Sequence, residues 1–309
     1  MLNLNRLTML RELYRLGTLA KVAETLNYTP SAISQQLGVL EKETGVQLLE
    51  PVGRRVQLTD AALALVSHTE RVLAQLELAE AELATGSVKT QLKLSAFQLA
   101  PLGLLPAALT FLAESHPEIA IEFTQGSTQH VYASLLAHEL DIILGEEYPG
   151  IPEQVRSSTE REALSKDRLE LLLPTSGAQA RRPQSLADLA QAPFVMAPAT
   201  STLGQWSRNI CREAGFEPTV TYQTSDPLLQ LELISQGVGL GFLPAIIVEQ
   251  HQQAIKRFVL TTKPERTLYT SVRVGRSNHP SVQACRQALI AAVKAVPLSQ
   301  PVTLIPLTH

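Results

Sequence analysis

Cysteine is nearly absent from this chain of 309 residues, with only Cys211 and Cys285. Two such isolated thiols build neither a disulfide framework nor a paired metal motif, and they read as small buried side chains. Long apolar runs are missing too. No stretch approaches the roughly 18 uninterrupted apolar residues of a membrane span. The first ten residues interleave Asn3, Asn5 and Arg6 with leucines and offer no small-residue cleavage site. A secretory signal is therefore not expected, nor is a membrane partner, and the expected location is cytoplasmic. Catalytic signatures are lacking as well. The seven histidines are dispersed, His130 and His138 have no third ligand at metal spacing, and no Gly-x-Ser-x-Gly elbow occurs. No cofactor, no metal and no enzymatic activity are expected.

A surplus of positive charge is also missing, because the net charge is -3. Residues 1–60 alone hold seven basic and six acidic side chains. Any case for nucleic acid therefore rests on pattern rather than on net charge. The composition is 45% hydrophobic, enough for real cores. At about 150 residues per domain the length predicts two or three domains.

Leu4, Leu7, Leu10, Leu13 and Tyr14 recur at helical spacing and predict a first helix ending at Gly17. Thr18 caps a second helix burying Leu19, Val22, Ala23 and Leu26. Thr29 caps a third, with Pro30 at its first position, where the missing N–H costs nothing. Ile33, Leu37 and Leu40 form its apolar stripe. Ser31, Ser34, Gln35 and Gly38 form another face that is short, uncharged and hydrogen-bonding. Such a face suits close approach to base edges in the major groove, where a solvated helix face would carry Lys and Glu. After Gly45, two strands at 46–49 and 56–58 enclose a hairpin wing. Arg54 and Arg55 lie at its tip, placed for phosphate or minor-groove contact.

These motifs, in this order and spacing, resemble the DNA-binding domain of the LysR-type transcriptional regulators. The match runs through Ala20-Lys21-Val22-Ala23, the segment Ser31-Ala32-Ile33-Ser34-Gln35-Gln36-Leu37, Leu40-Glu41, Gly45-Val46 and Val56-Gln57-Leu58-Thr59. The sequence departs from the family at Leu49-Glu50-Pro51, where Pro51 takes a position usually held by arginine. DNA contacts are thus expected from Thr29, Pro30, Ser31, Ser34, Gln35, Gln36, Arg54 and Arg55.

From Thr59 or Asp60 to about residue 85 a long helix is predicted. Leu65, Thr69, Val72, Leu76, Ala79 and Leu83 form a short seam of ~3.5-residue period. The resemblance implies that this seam is a dimer contact and that Gly86-Ser87 begins a hinge. Beyond Lys89, strands and helices alternate, which predicts parallel sheets covered by helices. The expected fold is α/β overall: a winged helix-turn-helix at 1–60, a linker helix and hinge at 61–89, and an effector-binding domain at 90–309. The last resembles the two-lobed periplasmic binding proteins, with lobe one at 90–163 and 266–296 and lobe two at 164–265. A ligand would lie in the cleft at the strand ends.

Three loops open helices there. They supply Phe97 and Gln98, then Ser127 and Thr128, then Thr200, Ser201 and Thr202. Helix starts with hydroxyls suit an anionic or carboxylate-bearing metabolite, and the resemblance assigns the last two loops to effector binding. Ordinary N-capping explains the same hydroxyls equally well. Gly239-x-Gly241 lacks the strand–helix context of a dinucleotide site and reads as a structural turn. The expected function is sequence-specific transcription regulation answering a small molecule. The resemblance implies a homodimer or homotetramer on an interrupted palindrome of double-stranded DNA, and contact with RNA polymerase. The competing readings are a solute-binding protein of transport, which leaves residues 1–60 unexplained, and an enzyme on the same scaffold, for which no catalytic constellation is found.

Overall fold

A computed structural model of the chain describes residues 2–296, apart from 27, 53–54, 84–89, 98, 155, 157, 181–182 and 252–253. Three helices, α1 (Leu4–Leu16), α2 (Leu19–Thr25) and α3 (Pro30–Thr44), pack through Leu7, Leu10, Leu13, Val22, Ile33, Leu37 and Leu40. Each starts at a side chain that accepts a backbone N–H, namely Asn3, Thr18 and Thr29. Gly17 and Gly45 end α1 and α3 with left-handed φ of 75° and 69°, a conformation that glycine adopts without steric cost. Tyr14 does not join the buried stripe and points outward.

The first strand of the wing starts later than the sequence pattern predicts, and the pairing runs further toward the tip. The wing pairs β1 (Leu49–Val52) with β2 (Arg55–Leu58), in register from Leu49↔Leu58 to Val52↔Arg55. The expected strand at 46–49 is mostly a connection because Glu41 captures it. The Glu41 carboxylate accepts from Leu48 N at 2.8 Å and Leu49 N at 2.9 Å. Pro51, having no N–H, sits in a two-stranded ladder without disturbing a third strand.

Thr59 caps α4 (Asp60–Leu83) through Ala62 N. The helix buries Ala62 and Val66 in the N-terminal core. Of the seam, Val72, Leu76 and Leu83 are exposed. Thr69 turns inward instead and bonds its hydroxyl to Leu65 O, so the exposed stripe is interrupted there.

The rest centres on a seven-stranded mixed sheet ordered β10 (Ile255–Phe258), β6 (Thr159–Pro174), β11 (Glu265–Arg273), β5 (Ile142–Glu147), β3 (Thr90–Ala96), β4 (Ile119–Gln125), with β9 (Gly241–Pro244) also on β6. Strand β3 (Thr90–Ala96) runs parallel to β4 (Ile119–Gln125) and β5 (Ile142–Glu147). Helices α5 (Ala100–Ser115), α6 (Thr128–Leu136) and α10 (Pro280–Ala295) cover this part. Strand β6 (Thr159–Pro174) is one continuous strand. Its residues 159–168 pair antiparallel with β11 (Glu265–Arg273), and residues 169–174 pair with β9 (Gly241–Pro244) and β10 (Ile255–Phe258). The crossing between lobes is therefore antiparallel, where alternation alone predicts parallel sheets.

The second lobe adds the parallel pair β7 (Pro193–Met196) and β8 (Thr219–Gln223), with α7 (Thr202–Glu213), α8 (Pro227–Ser235) and α9 (Ala245–Gln250). Each lobe has its own core, one around Leu92, Leu94, Ile142 and Leu289, the other around Leu171, Phe194, Trp206 and Phe242. The glycine-rich turn is structural. A Cβ on Gly241 would lie 2.5 Å from Val195 O, and one on Gly239 would lie 2.9 Å from Pro193 O.

Candidate DNA-reading face and interlobe cavity

The exposed side of α3 carries Ser31, Ser34 and Gln35. A Cβ on Gly38 would meet open space, so glycine there leaves the face low rather than relieving a clash. Thr29 and Pro30 are also exposed at the helix start. Thr29 Oγ1 accepts from Ala32 N at 3.2 Å and lies 3.0 Å from Ser31 Oγ, so it is first of all a cap. Gln36 is half-buried and differs from its neighbours. Its Oε1 accepts from Arg6 Nε at 2.9 Å, and Arg6 also pairs with Glu43 at 2.5 Å, tying α1 to α3. Arg54 and Gln98 lie outside the described residues. Arg55 begins β2.

Two further arginines do not face solvent as DNA contacts would. Arg11 and Arg15 clamp the buried Glu12 and donate to the last turn of α6, at Leu136 O and Ala133 O. Cations at a helix C-terminus answer its negative end. The first helix of the DNA-binding domain thus docks on the effector domain. Linker helix α4 does the same through Glu77, which meets Arg273 at 2.5 Å, Arg276 at 3.0 Å and His138 Nδ1 at 3.3 Å. Burial opposes the charge of Glu77, yet His138 and the two arginines outweigh it and bring its pKa down to about 2. Gly275, at φ 89°, lets this contact form, because a Cβ there would collide with Ala74 O.

Between the lobes lies a cavity of about 210 Å³, walled by Gln125 and Leu99 on one side and by Ser201, Ser225 and Gln230 on the other. Glu146 closes its floor. The proposed effector loops contribute unequally. Ser201 lines the cavity, and Gln125 lies at the end of β4 just before the second loop. Ser127, Thr128, Thr200 and Thr202 are not in its wall. Ser127 caps α6 by accepting from His130 N, and Ser201 caps α7 by accepting from Gly204 N. Phe97 is 1% exposed and packs with Tyr132 at a centroid distance of 6.2 Å, in a small apolar cluster that does not line the cavity.

Beneath the floor sits a cluster that sequence patterning did not single out. Arg266 is fully buried and pairs with Glu146 and, at 2.7 Å, with Asp167. Glu146 also accepts from Leu99 N and Tyr148 OH, and Asp167 from Ile246 N. Burial works against the guanidinium, but its two carboxylates win and raise its pKa. Burial also pushes both acids upward, against the pull of the guanidinium. Each of these hydrogen-bonding partners is a donor, which favours the charged form of both acids against that burial. The only sequence signal was charged residues inside apolar strand segments. The two thiols are remote from such chemistry. Burial pushes Cys211 and Cys285 each up to about 12, far from a reactive thiolate.

A helix-turn-helix with an uncharged reading face, joined by a linker helix to a two-lobed domain with a cavity, defines a DNA-binding regulator with an effector domain. Comparisons with known proteins agree and go further. Residues 4–63 match the profile "Bacterial regulatory helix-turn-helix protein, lysR family", and residues 85–294 match "LysR substrate binding domain". The chain belongs to the LysR family of transcriptional regulators, which is not an enzyme family. It is 31% identical over 218 residues to a "Probable RuBisCO transcriptional regulator" of Chlorokybus atmophyticus, covering 68% of this chain and 67% of that one. It is 26% identical over 221 residues to the transcriptional dual regulator GltC of Bacillus subtilis, covering 69% and 71%. Among solved structures, a full-length OxyR point variant from Pseudomonas aeruginosa superposes with a TM-score of 0.65 at 18% identity, covering 97% and 99%. Full-length CbnR complexed with its target DNA gives 0.52 at 20% identity, covering 93% and 100%.

Proposed function

We propose that this regulator reads an interrupted palindromic operator with the Ser31, Ser34 and Gln35 face of α3, backed by Arg54 and Arg55 of the wing. The observation that carries the reading is that face itself: exposed, uncharged and flattened at Gly38, on a helix held by a fully buried Ile33–Leu37–Leu40 stripe. CbnR, which shares the fold, has been solved complexed with its target DNA. Residues 1–60 act as the reading domain, 61–89 as the linker and 90–309 as the sensor, at work in the cytoplasm. Val72, Leu76 and Leu83 on α4 pair two copies, and pairing of two dimers gives the homotetramer in contact with RNA polymerase. A transport solute-binding protein has no use for α1 to α3.

The effector occupies the interlobe cavity and shifts the lobes by its differential affinity for their two arrangements. The helix starts and hydroxyls of the loops at 126–128 and 198–202 suit an anionic or carboxylate-bearing effector. The one charged residue among those described in the cavity wall is the acidic Glu146. The decisive experiment is a mobility-shift titration against fragments of the source genome with wild type and Ser34→Glu. Wild type selects specific fragments. The carboxylate of the variant meets phosphates and acceptor-rich base edges and abolishes selection, with its melting temperature unchanged. Equal selection by both proteins contradicts the reading.

A further inference from the structure

The cavity between the lobes has a polarity, and it can be read atom by atom. Gln230 is 2% exposed. Its amide Nε2 donates to Val195 O at 3.0 Å and Phe242 O at 3.2 Å, which fixes which end of the amide is which. Oε1, the remaining polar atom, accepts no hydrogen bond among the described residues of this cavity-lining side chain. An acceptor left without a protein donor in a cavity wall favours a ligand that supplies one. Ser201 offers no compensating donor, since its hydroxyl already donates to Pro198 O at 2.8 Å and accepts from Gly204 N at 3.1 Å.

The charges around the cavity point the same way. At the floor two acids, Glu146 and Asp167, share one guanidinium, Arg266, so carboxyl acceptors outnumber cations there. Asp226, at the start of α8, accepts from Leu228 N and Leu229 N and so answers that helix's positive end, while Leu99 N at the start of α5 is answered by Glu146. Arg208 on α7 turns its Nη1 to Ala197 O and Gly204 O and is absent from the wall. No Lys, Arg or His lines the cavity among the described residues.

We infer that the effector is a small molecule whose buried end donates hydrogen bonds, a protonated amine above all, and that this cavity rejects carboxylates. The inference rests on the reading of the cavity as the effector site. Trp206, the sole tryptophan, is a built-in reporter. It is 3% exposed, stands edge-on to Phe242 at 5.5 Å, and lies 6.4 Å from Tyr148, whose hydroxyl donates to Glu146.

Three probes of one skeleton test this on the full-length chain: cyclohexylammonium, cyclohexanol and cyclohexanecarboxylate, titrated at constant ionic strength. Trp206 fluorescence and melting temperature should respond in a saturable way to the ammonium probe, less to the alcohol and not to the carboxylate. Glu146→Gln should narrow the preference for ammonium over carboxylate by roughly tenfold or more, since it takes the one carboxyl group out of the cavity lining. If that variant does not fold, Ser225→Lys serves instead. Ser225 is exposed at the wall, and a cation there should weaken the ammonium response without touching the core. No ammonium response in wild type, or a carboxylate response of equal affinity, overturns the inference. So does an ammonium preference untouched by both variants. A protein that selects DNA fragments yet prefers the carboxylate refutes only this ligand class. Loss of DNA selection altogether refutes the regulator reading itself.

Discussion

The DNA-binding domain and the lobe crossing hold their shape by opposite means. The first closes over leucines, isoleucine and valine, and its one buried charge among the described residues, Glu12, is answered by two arginines that reach into the other domain. The second runs β6 and β11 side by side with Arg266, Glu146 and Asp167 buried between the lobes. A buried ion cluster is weak evidence for stability but fixes which groups must meet. Each domain is therefore vulnerable in its own way. Apolar packing degrades gradually as atoms are removed, whereas a buried charge that loses its partner fails at once.

The sharpest way to test that contrast is Arg266→Met, which leaves two carboxylates buried without their cation. It should cost about 3–5 kcal/mol in a urea titration. Adding Glu146→Gln and Asp167→Asn to it should recover a large part of the loss. A single variant as stable as wild type would remove the contrast.

Glu77 tests the same principle at the linker. Its folded pKa lies below the unfolded one, so the stability it contributes is present above about pH 4.5 and is lost as pH falls toward about 2. The gap between wild type and Glu77→Gln should be about 3 kcal/mol at neutral pH and should close across that window. A gap that stays constant down to pH 2 would show that the latch owes nothing to charge.

Caps should matter less. Ser201→Ala and Thr29→Ala, one in each domain, should each cost about 1 kcal/mol, because each removes one acceptor from a helix start. Unequal losses would show that Ser201 does more than cap. Smallest of all, Ser31→Ala should shift stability by no more than about 0.5 kcal/mol. It should still lower operator affinity in a mobility shift, and an unchanged affinity would take Ser31 off the reading face.

Much of the N-terminal domain could be read from spacing. The leucines of α1, the Thr29-Pro30 start of α3 and the Gly17 and Gly45 stops act within a turn or two of chain, so local order is enough. The wing shows the limit of that reading. Its strand begins at Leu49 rather than Val46 because Glu41, seven or eight residues earlier, captures two backbone N–H groups. In the effector domain, strands with apolar runs such as β3 and β5 were legible. The first half of β6 was not, since Thr159–Arg168 is dense in charge and mimics an exposed loop.

Order along the chain was sufficient for the family, the three helices, the uncharged face of α3 and the alternation of strands and helices. These follow from side-chain periodicity and capping, which act over short range. What meets what had to wait for the folded lobes. Folding placed Arg266 from β11 between Glu146 and Asp167, 120 and 99 residues away in the chain. It turned Gln230 so that an acceptor faces the cavity, and left Ser127 to cap a helix outside it. The reason is that the charge and hydrogen-bonding state of a buried site depends on every group within a few ångströms, and those groups come from strands distant in sequence that are brought together only when the lobes close on each other.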